Sequence, residues 1–298
     1  MFEQLGLIGC GLMGGSFALA LKQAGLVRRV VGYSKSPSTT ERACELGVID
    51  VAAPSALLAV AGADLVLLAV PVAATEATLK SIKHLVTRDM LVMDVGSTKT
   101  DVVQAARSAL GSQIGSFVPA HPVTGREVAG VEFADAQLYR GCQVVLTPTE
   151  RTLGAQLRKA EQLWQALGCK VRQMSPEAHD QAFAAVSHLP HLLAFAFMQS
   201  ICGQAEGDTF LALAGPGFRD FTRIAAGEPK MWRDILLANR EHVLEQSQLF
   251  QQALHAFEQA MRARDAQALE DMLTLASGAR AHWRMGADRT LGTTTPQL

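Results

Sequence analysis

Three short clusters carry side chains able to do proton, hydroxyl or anion chemistry. In His121-Pro122-Val123-Thr124-Gly125 a histidine follows a strand-like run. Histidine has an unperturbed pKa of about 6.5, which suits proton removal near neutrality. Among eight histidines His121 is the best general-base candidate, because a strand end followed by proline fixes the turn that carries it. Asp94-Val95-Gly96-Ser97-Thr98-Lys99 follows another apolar run, where Ser97 can offer a hydroxyl to a ligand, or Ser97 or Thr98 can cap the next helix. In the third cluster His188 and His191 share one helix face beside Pro190, and Arg219 and Arg223 sit one helical turn apart in Gly217-Phe218-Arg219-Asp220-Phe221-Thr222-Arg223. Like charges at that spacing disfavour a helix by about a few tenths of a kcal/mol, a penalty that a bound anion reverses. The histidine pair has no third ligand at suitable spacing, so no metal is expected.

A fourth motif is backbone chemistry. Gly9-Cys10-Gly11-Leu12-Met13-Gly14 directly follows the first apolar run and opens a helix reaching about Ala24. Gly9 permits the tight turn, Gly11 lets backbone approach a pyrophosphate, and Gly14 lets helix and strand pack closely while N–H groups face the phosphates. Leu12 and Met13 share that site, and Val70 and Pro71 at a neighbouring strand end are assigned to it. In an NAD enzyme the second strand ends on an acid that accepts the ribose hydroxyls. Here it ends Tyr33-Ser34-Lys35-Ser36. A small hydroxyl and a cation suit a 2′-phosphate, so NADP is the expected cofactor, with NAD as the alternative.

These motifs need a parallel sheet to hold them. From Leu5 to about Met174, runs at Leu5–Ile8, Arg29–Tyr33, Leu65–Val70, Leu91–Val95, Ser116–Pro119 and Gln143–Thr147 alternate with helical segments, the pattern of βαβ units. Several runs are apolar at every position, as strands covered on both faces are. The expectation is an α/β Rossmann domain over residues 1–174.

After Ser175 almost everything reads as helix, giving an all-α domain over 175–285 for substrate binding and dimerisation. Ser175-Pro176-Glu177 is a helix start, with a hydroxyl cap, proline at the first position and an acid near the positive end of the dipole. Pro190 should kink that helix. A second helix is expected from Pro229 to about Arg264, on the order of 50 Å long at 1.5 Å per residue. Leu236, Val243, Phe250 and Phe257 recur every seven residues along it, joined by Leu254 and Met261. Such a seam on so long a helix implies packing on a second subunit, a homodimer through the C-terminal helices, or else an intramolecular bundle. The polar segment 286–298 is expected to be a flexible tail.

The 298 residues are 49% apolar and 18% charged, enough to bury real cores. The formal net charge of -1 offers no bulk attraction to nucleic acid or anionic membrane, so a small-molecule substrate is expected. Five scattered cysteines without a C-x-x-C pair fit neither a disulfide framework nor a thiolate metal site. No export signal and no membrane-spanning segment are read, and a cytoplasmic location is expected.

Taken in order, GCGLMGGS (9–16), DVGSTK (94–99), HPVTG (121–125), SHLPH (187–191) and FRDFTRIA (218–225) with Met231-Trp232 resemble the prephenate/arogenate, or cyclohexadienyl, dehydrogenases. The resemblance implies oxidation and decarboxylation of prephenate or L-arogenate to 4-hydroxyphenylpyruvate or tyrosine, with hydride passing to NAD(P)+. It implies that His121 takes the ring-hydroxyl proton, Ser97 assists at the same hydroxyl, Arg223 holds a substrate carboxylate and His191 lines the pocket; His188 and Arg219 are grouped with them. The family's NAD-specific members carry an acid where this chain has Ser34. The rival reading is a β-hydroxyacid dehydrogenase or imine reductase-like NADP oxidoreductase; hydroxyacid members use a lysine in the first helix of the second domain, and Pro176–Gly203 contains none.

Overall fold

The computed structural model describes residues 1–284; the expected tail at 286–298 lies outside the described residues. Among the described residues the strands are β1 Phe2–Ile8, β2 Val27–Tyr33, β3 Val51–Ala52, β4 Leu65–Leu68, β5 Leu91–Asp94, β6 Phe117–Val118, β7 Ala120–Val123, β8 Gln143–Leu146 and β9 Lys170–Gln173. The first six form one parallel sheet in the order β3-β2-β1-β4-β5-β6. Its strand order reverses between β1 and β4, the place where doubly wound sheets open a crevice for a ligand. Every residue of β4 and β5 is buried, as continuous apolar runs between two helical layers must be.

Helices α1 Leu12–Gln23, α2 Pro37–Glu45, α3 Ala56–Val60, α4 Thr75–Ile82, α5 Thr100–Leu110 and α6 Gly154–Ala166 connect the strands. One core layer centres on Phe17 of α1, Tyr139 and Trp164 of α6, whose rings pack at 5.0–6.2 Å. The Tyr139 hydroxyl donates to the Met13 carbonyl at 2.7 Å, tying this layer to the start of α1.

The six sequence runs fall on β1, β2, β4, β5, β6 and β8 to within a few residues but miss β3, β7 and β9, and with the last two the second sheet. β7 pairs antiparallel with β8, and β8 pairs parallel with β9. His121 therefore lies within β7, opposite Val145, and not in a turn after a strand. Pro122 is tolerated there because β7 is an edge strand. β9 escapes pattern reading because three of its four residues are exposed.

The remaining helices are α7 Pro176–Phe183, α8 Leu189–Cys202, α9 Gly207–Ala212, α10 Pro216–Thr222, α11 Pro229–Ala238, α12 Arg240–Ala263 and α13 Ala266–His282. The chain divides into two compact units, Met1–Val243 and the segment from Leu244 on. The first unit holds both sheets and helices α1 to α11; the second holds most of α12 and α13.

Two helix expectations are corrected. The helix foreseen over 229–264 breaks at Asn239, which leaves helical geometry (φ −108°, ψ 26°) and turns its amide into the interior. No glycine or proline marks the break, because the interior hydrogen bonds of the Asn239 amide accompany it. The helix expected to kink at Pro190 does not end there. Residues Ala184–His188 widen into a π-turn, and the stretch Pro176–Cys202 runs on as one helix of 27 residues. With mean hydropathy of 1.3 in its most apolar window it is long and apolar enough to cross a membrane, where no membrane-spanning segment was expected. The same stretch buries His179, Asp180 and His188 completely or nearly so.

Candidate active site

The glycine turn sits at the carboxyl end of β1. Gly9 has φ +99°, and a Cβ there would collide with the Ala69 carbonyl just beyond β4. A Cβ at Gly14 would collide with the Gly9 carbonyl oxygen. At Gly11 a Cβ would meet nothing within 4 Å, so this side of the turn opens outward at the start of α1. Two glycines are needed for packing and one faces free space, the arrangement a pyrophosphate cradle requires, so these residues fit a dinucleotide. Val70 is half-buried and Pro71 exposed directly after β4, the strand next to β1. At the end of β2 the Ser34 hydroxyl accepts the Cys10 N–H at 2.8 Å, bracing the glycine turn, while Lys35 is exposed.

The second region forms around β5 and β7. Asp94 ends β5 and is buried with Lys99, whose ammonium lies 2.5 Å from Asp94 Oδ2 and donates to the Ala120 carbonyl at 2.8 Å. The other Asp94 oxygen accepts the Ala120 N–H at 3.0 Å. One buried ion pair thus holds both backbone groups of the residue preceding His121. Ser97 is half-buried in the loop between β5 and α5. It does not cap α5: the backbone N–H groups of Lys99 and Thr100 donate at 2.8 Å each to the carboxylate of Asp180, from α7.

His121 is 7% exposed. Its Nδ1 lies 2.8 Å from Nε2 of His179, and Nδ1 of His179 lies 2.8 Å from Oδ1 of Asp180. Phe183 packs on both rings, with centroids 4.6 Å from His121 and 4.3 Å from His179. Burial holds the His121 pKa well below the ordinary histidine value, with His179, Lys99 and His188 adding to the effect. His179 is also lowered, mainly by burial and against the pull of Asp180. Both rings therefore rest neutral at pH 7.

His188 is fully buried; its Nδ1 accepts from the Asn239 amide at 3.0 Å, and that amide also donates to the Asp180 carbonyl at 2.7 Å. Burial brings its pKa down to about 4. His191 donates from Nδ1 to the Ser187 carbonyl at 2.8 Å and stacks on Trp232 with ring centroids 3.7 Å apart. Its pKa is also lowered, first by burial and with Arg223 nearby. Arg223 ion-pairs with Glu127, on the loop that follows His121, so the third sequence cluster meets the loop leaving the first. Arg219 is three-quarters exposed and pairs with its neighbour Asp220.

Sequence reading passed over His179, Asp180, Lys99, Glu127 and Asn239. The only local signal for two of them is that His179-Asp180 falls in the polar first turns, Glu177 to Gln181, of a helix that is apolar further on. Nothing local in the sequence says that it faces His121.

A family model described as prephenate dehydrogenase, nucleotide-binding domain, matches residues 17–173, and one described as prephenate dehydrogenase, dimerization domain, matches residues 175–275. A prephenate dehydrogenase of Bacillus subtilis is 36% identical over 82% of this chain, which spans 66% of that protein's length. A cyclohexadienyl dehydrogenase of Zymomonas mobilis is 33% identical over 82% of this chain and 83% of its own. Among solved structures, prephenate dehydrogenase from A. aeolicus in complex with hydroxyphenyl propionate and NAD+ superposes with a TM-score of 0.86 at 35% identity, covering 94% of this chain and 98% of that one.

Proposed function

The chain belongs to the prephenate dehydrogenase family, and from that premise we propose that it oxidatively decarboxylates prephenate and/or L-arogenate to 4-hydroxyphenylpyruvate and/or tyrosine. The observation that carries this reading is the Arg223–Glu127 ion pair, in which an arginine from after α10 reaches the loop leaving His121. An exposed pair can exchange its carboxylate for that of a substrate at small cost.

Gly9, Gly11, Leu12, Met13 and Gly14, flanked by Val70 and Pro71, would hold a nicotinamide dinucleotide, which when bound would supply the hydride acceptor. The protein's own groups orient the substrate and take its proton. His121 removes the proton of the ring hydroxyl from Nε2, since Nδ1 is occupied by His179. The C–O bond becomes a carbonyl as hydride leaves the same carbon, and loss of carbon dioxide then makes the ring aromatic with its oxygen as a phenolate, which takes the proton back from His121 to give the phenol. Ser97, released from capping by Asp180, is available to the same hydroxyl. Arg223 binds a carboxylate by charge-assisted hydrogen bonds. His191, on its Trp232 shelf, and buried His188 shape the pocket, and Arg219 adds positive charge at its outer side.

The cofactor proposed is NADP, on Ser34 and Lys35, with NAD as the alternative; no acid stands at the end of β2 to accept ribose hydroxyls. We further place the functional division at residues 174 and 175, a nucleotide-binding part before it and a substrate-binding, dimerising part after it. Exposed Phe250, Leu254 and Met261 on α12 fit a homodimer seam. A cytoplasmic setting suits its small-molecule chemistry. Rates measured with each substrate against each cofactor test the whole: turnover with at least one pair is expected, and none with all four would end the assignment. A specificity constant clearly favouring NAD would reverse the NADP proposal alone.

A further inference from the structure

His121 has a partner behind it that the reaction described above does not use. The proton count along His121, His179 and Asp180 has one consistent solution. Asp180 already accepts two backbone N–H groups, so it acts as a carboxylate and His179 Nδ1 is the donor to it. His179 Nε2 then carries a lone pair, and His121 Nδ1 must hold the proton that it shares with it. His121 Nε2 is left as the basic nitrogen.

We propose that His179 and Asp180 are positioning residues that fix His121 in this tautomer and then take up the positive charge it acquires. The proposal rests on His121 being the base. When Nε2 of His121 bonds the hydroxyl proton, the N–H bond at its Nδ1 breaks and that proton passes to Nε2 of His179. His121 returns to neutral, and the imidazolium lies on His179 against the Asp180 carboxylate. No oxidant or further reactant is needed.

The surrounding charges favour this direction. Lys99 and His188 face His121, and Lys99, Asp94 and Asp180 face His179. Lys99 is neutralised by Asp94, and His188 is neutral by burial. Asp180 is the anion placed to balance a new cation, and it is fixed by the α5 backbone and not by a mobile cation. Phe183 keeps the two imidazoles in register from the side.

The test uses His179→Gln, which keeps an oxygen to accept from His121 Nδ1 but cannot take its proton, and His179→Leu, which keeps bulk and removes the acceptor. The Gln variant should lose about tenfold in kcat, with the acid limb of its pH profile moved to lower pH and KM unchanged. The Leu variant should lose about a hundredfold or more, the scale expected of a base in the wrong tautomer. Nitrogen-15 NMR of histidine-labelled full-length protein should show His121 protonated at Nδ1 in the unsubstituted and Gln proteins, and no longer so in the Leu protein. Wild-type kcat and pH profile in the Gln variant, or His121 protonated at Nε2 in the unsubstituted protein, would overturn the proposal. His121→Asn separates the two claims. An unchanged rate there removes the base reading itself, whereas a severe loss there with unaffected His179 variants removes only the relay.

Discussion

The glycine turn at the end of β1 and the buried histidine cluster, drawn chiefly from β5, β7 and the helix that begins at Pro176, lie in the same unit, yet they are built from different materials. The turn is backbone: Gly9, Gly11 and Gly14 shape a surface, and Ser34 braces it with one hydrogen bond. The cluster is side chain: Asp94, Lys99, His121, His179, Asp180, His188 and Asn239 are all buried and each is held by another. A backbone cradle binds by shape and dipole and survives changes in its neighbours, whereas a buried polar network depends on every member, because a partner removed leaves an unpaired group in a medium of low polarity.

The sharpest break in that contrast is His121→Asn. It should cost about 10² to 10⁴ in kcat, the usual worth of a positioned proton transfer, with cofactor affinity intact; steady-state rates and a nucleotide titration check both halves. Next comes Lys99→Met, which strands the Asp94 carboxylate in the interior. About 3–5 kcal/mol of stability should be lost in denaturant unfolding, against almost nothing if the pair were solvated.

Acidification tests the same region without mutation. Burial lowers the pKa of His188 from 6.5 to about 4, so below pH 6.5 the unfolded chain binds a proton that the folded chain refuses. Stability must therefore fall as pH drops from 6.5 to about 4 and level off below, by on the order of 3 kcal/mol for this residue. His121, His179 and His191 shift in the same direction and steepen the fall. Unfolding followed across this range in the wild type and in His188→Gln checks it; equal slopes would show that His188 does not contribute.

On the other side of the comparison, Gly14→Ala forces a methyl against the Gly9 carbonyl, where only backbone could yield. A loss of about 1–3 kcal/mol in stability is expected, with weaker nucleotide binding by calorimetry. The smallest effect is foreseen for Arg223→Ala. Its pair with Glu127 is exposed, so stability should change by less than about 1 kcal/mol while KM rises several-fold.

The same contrast explains what the residues disclosed in advance. The glycine turn spans six consecutive positions, and its chemistry is local, so the motif and its place after the first strand were legible. His121, Arg223 and His191 could be picked out by type and neighbourhood. Their partners could not: His121 meets His179 across 58 positions and Lys99 meets Asp180 across 81. Helix breaks at Asn239 and the π-turn before Pro190 were hidden for the same reason, since buried side-chain contacts accompany one and a shifted backbone ladder the other.

Asp180 gives that long-range dependence a consequence for how the enzyme matures. Its carboxylate closes the start of α5 and grips His179, while its carbonyl receives Asn239 from the far end of α11. A chain that had formed its parallel sheet but not yet docked α7 would have its glycine turn in place and His121 without the partners that align it. On the proposed function, nucleotide binding and turnover would then recover as separate clocks during refolding, the second only when this single aspartate finds all of its partners.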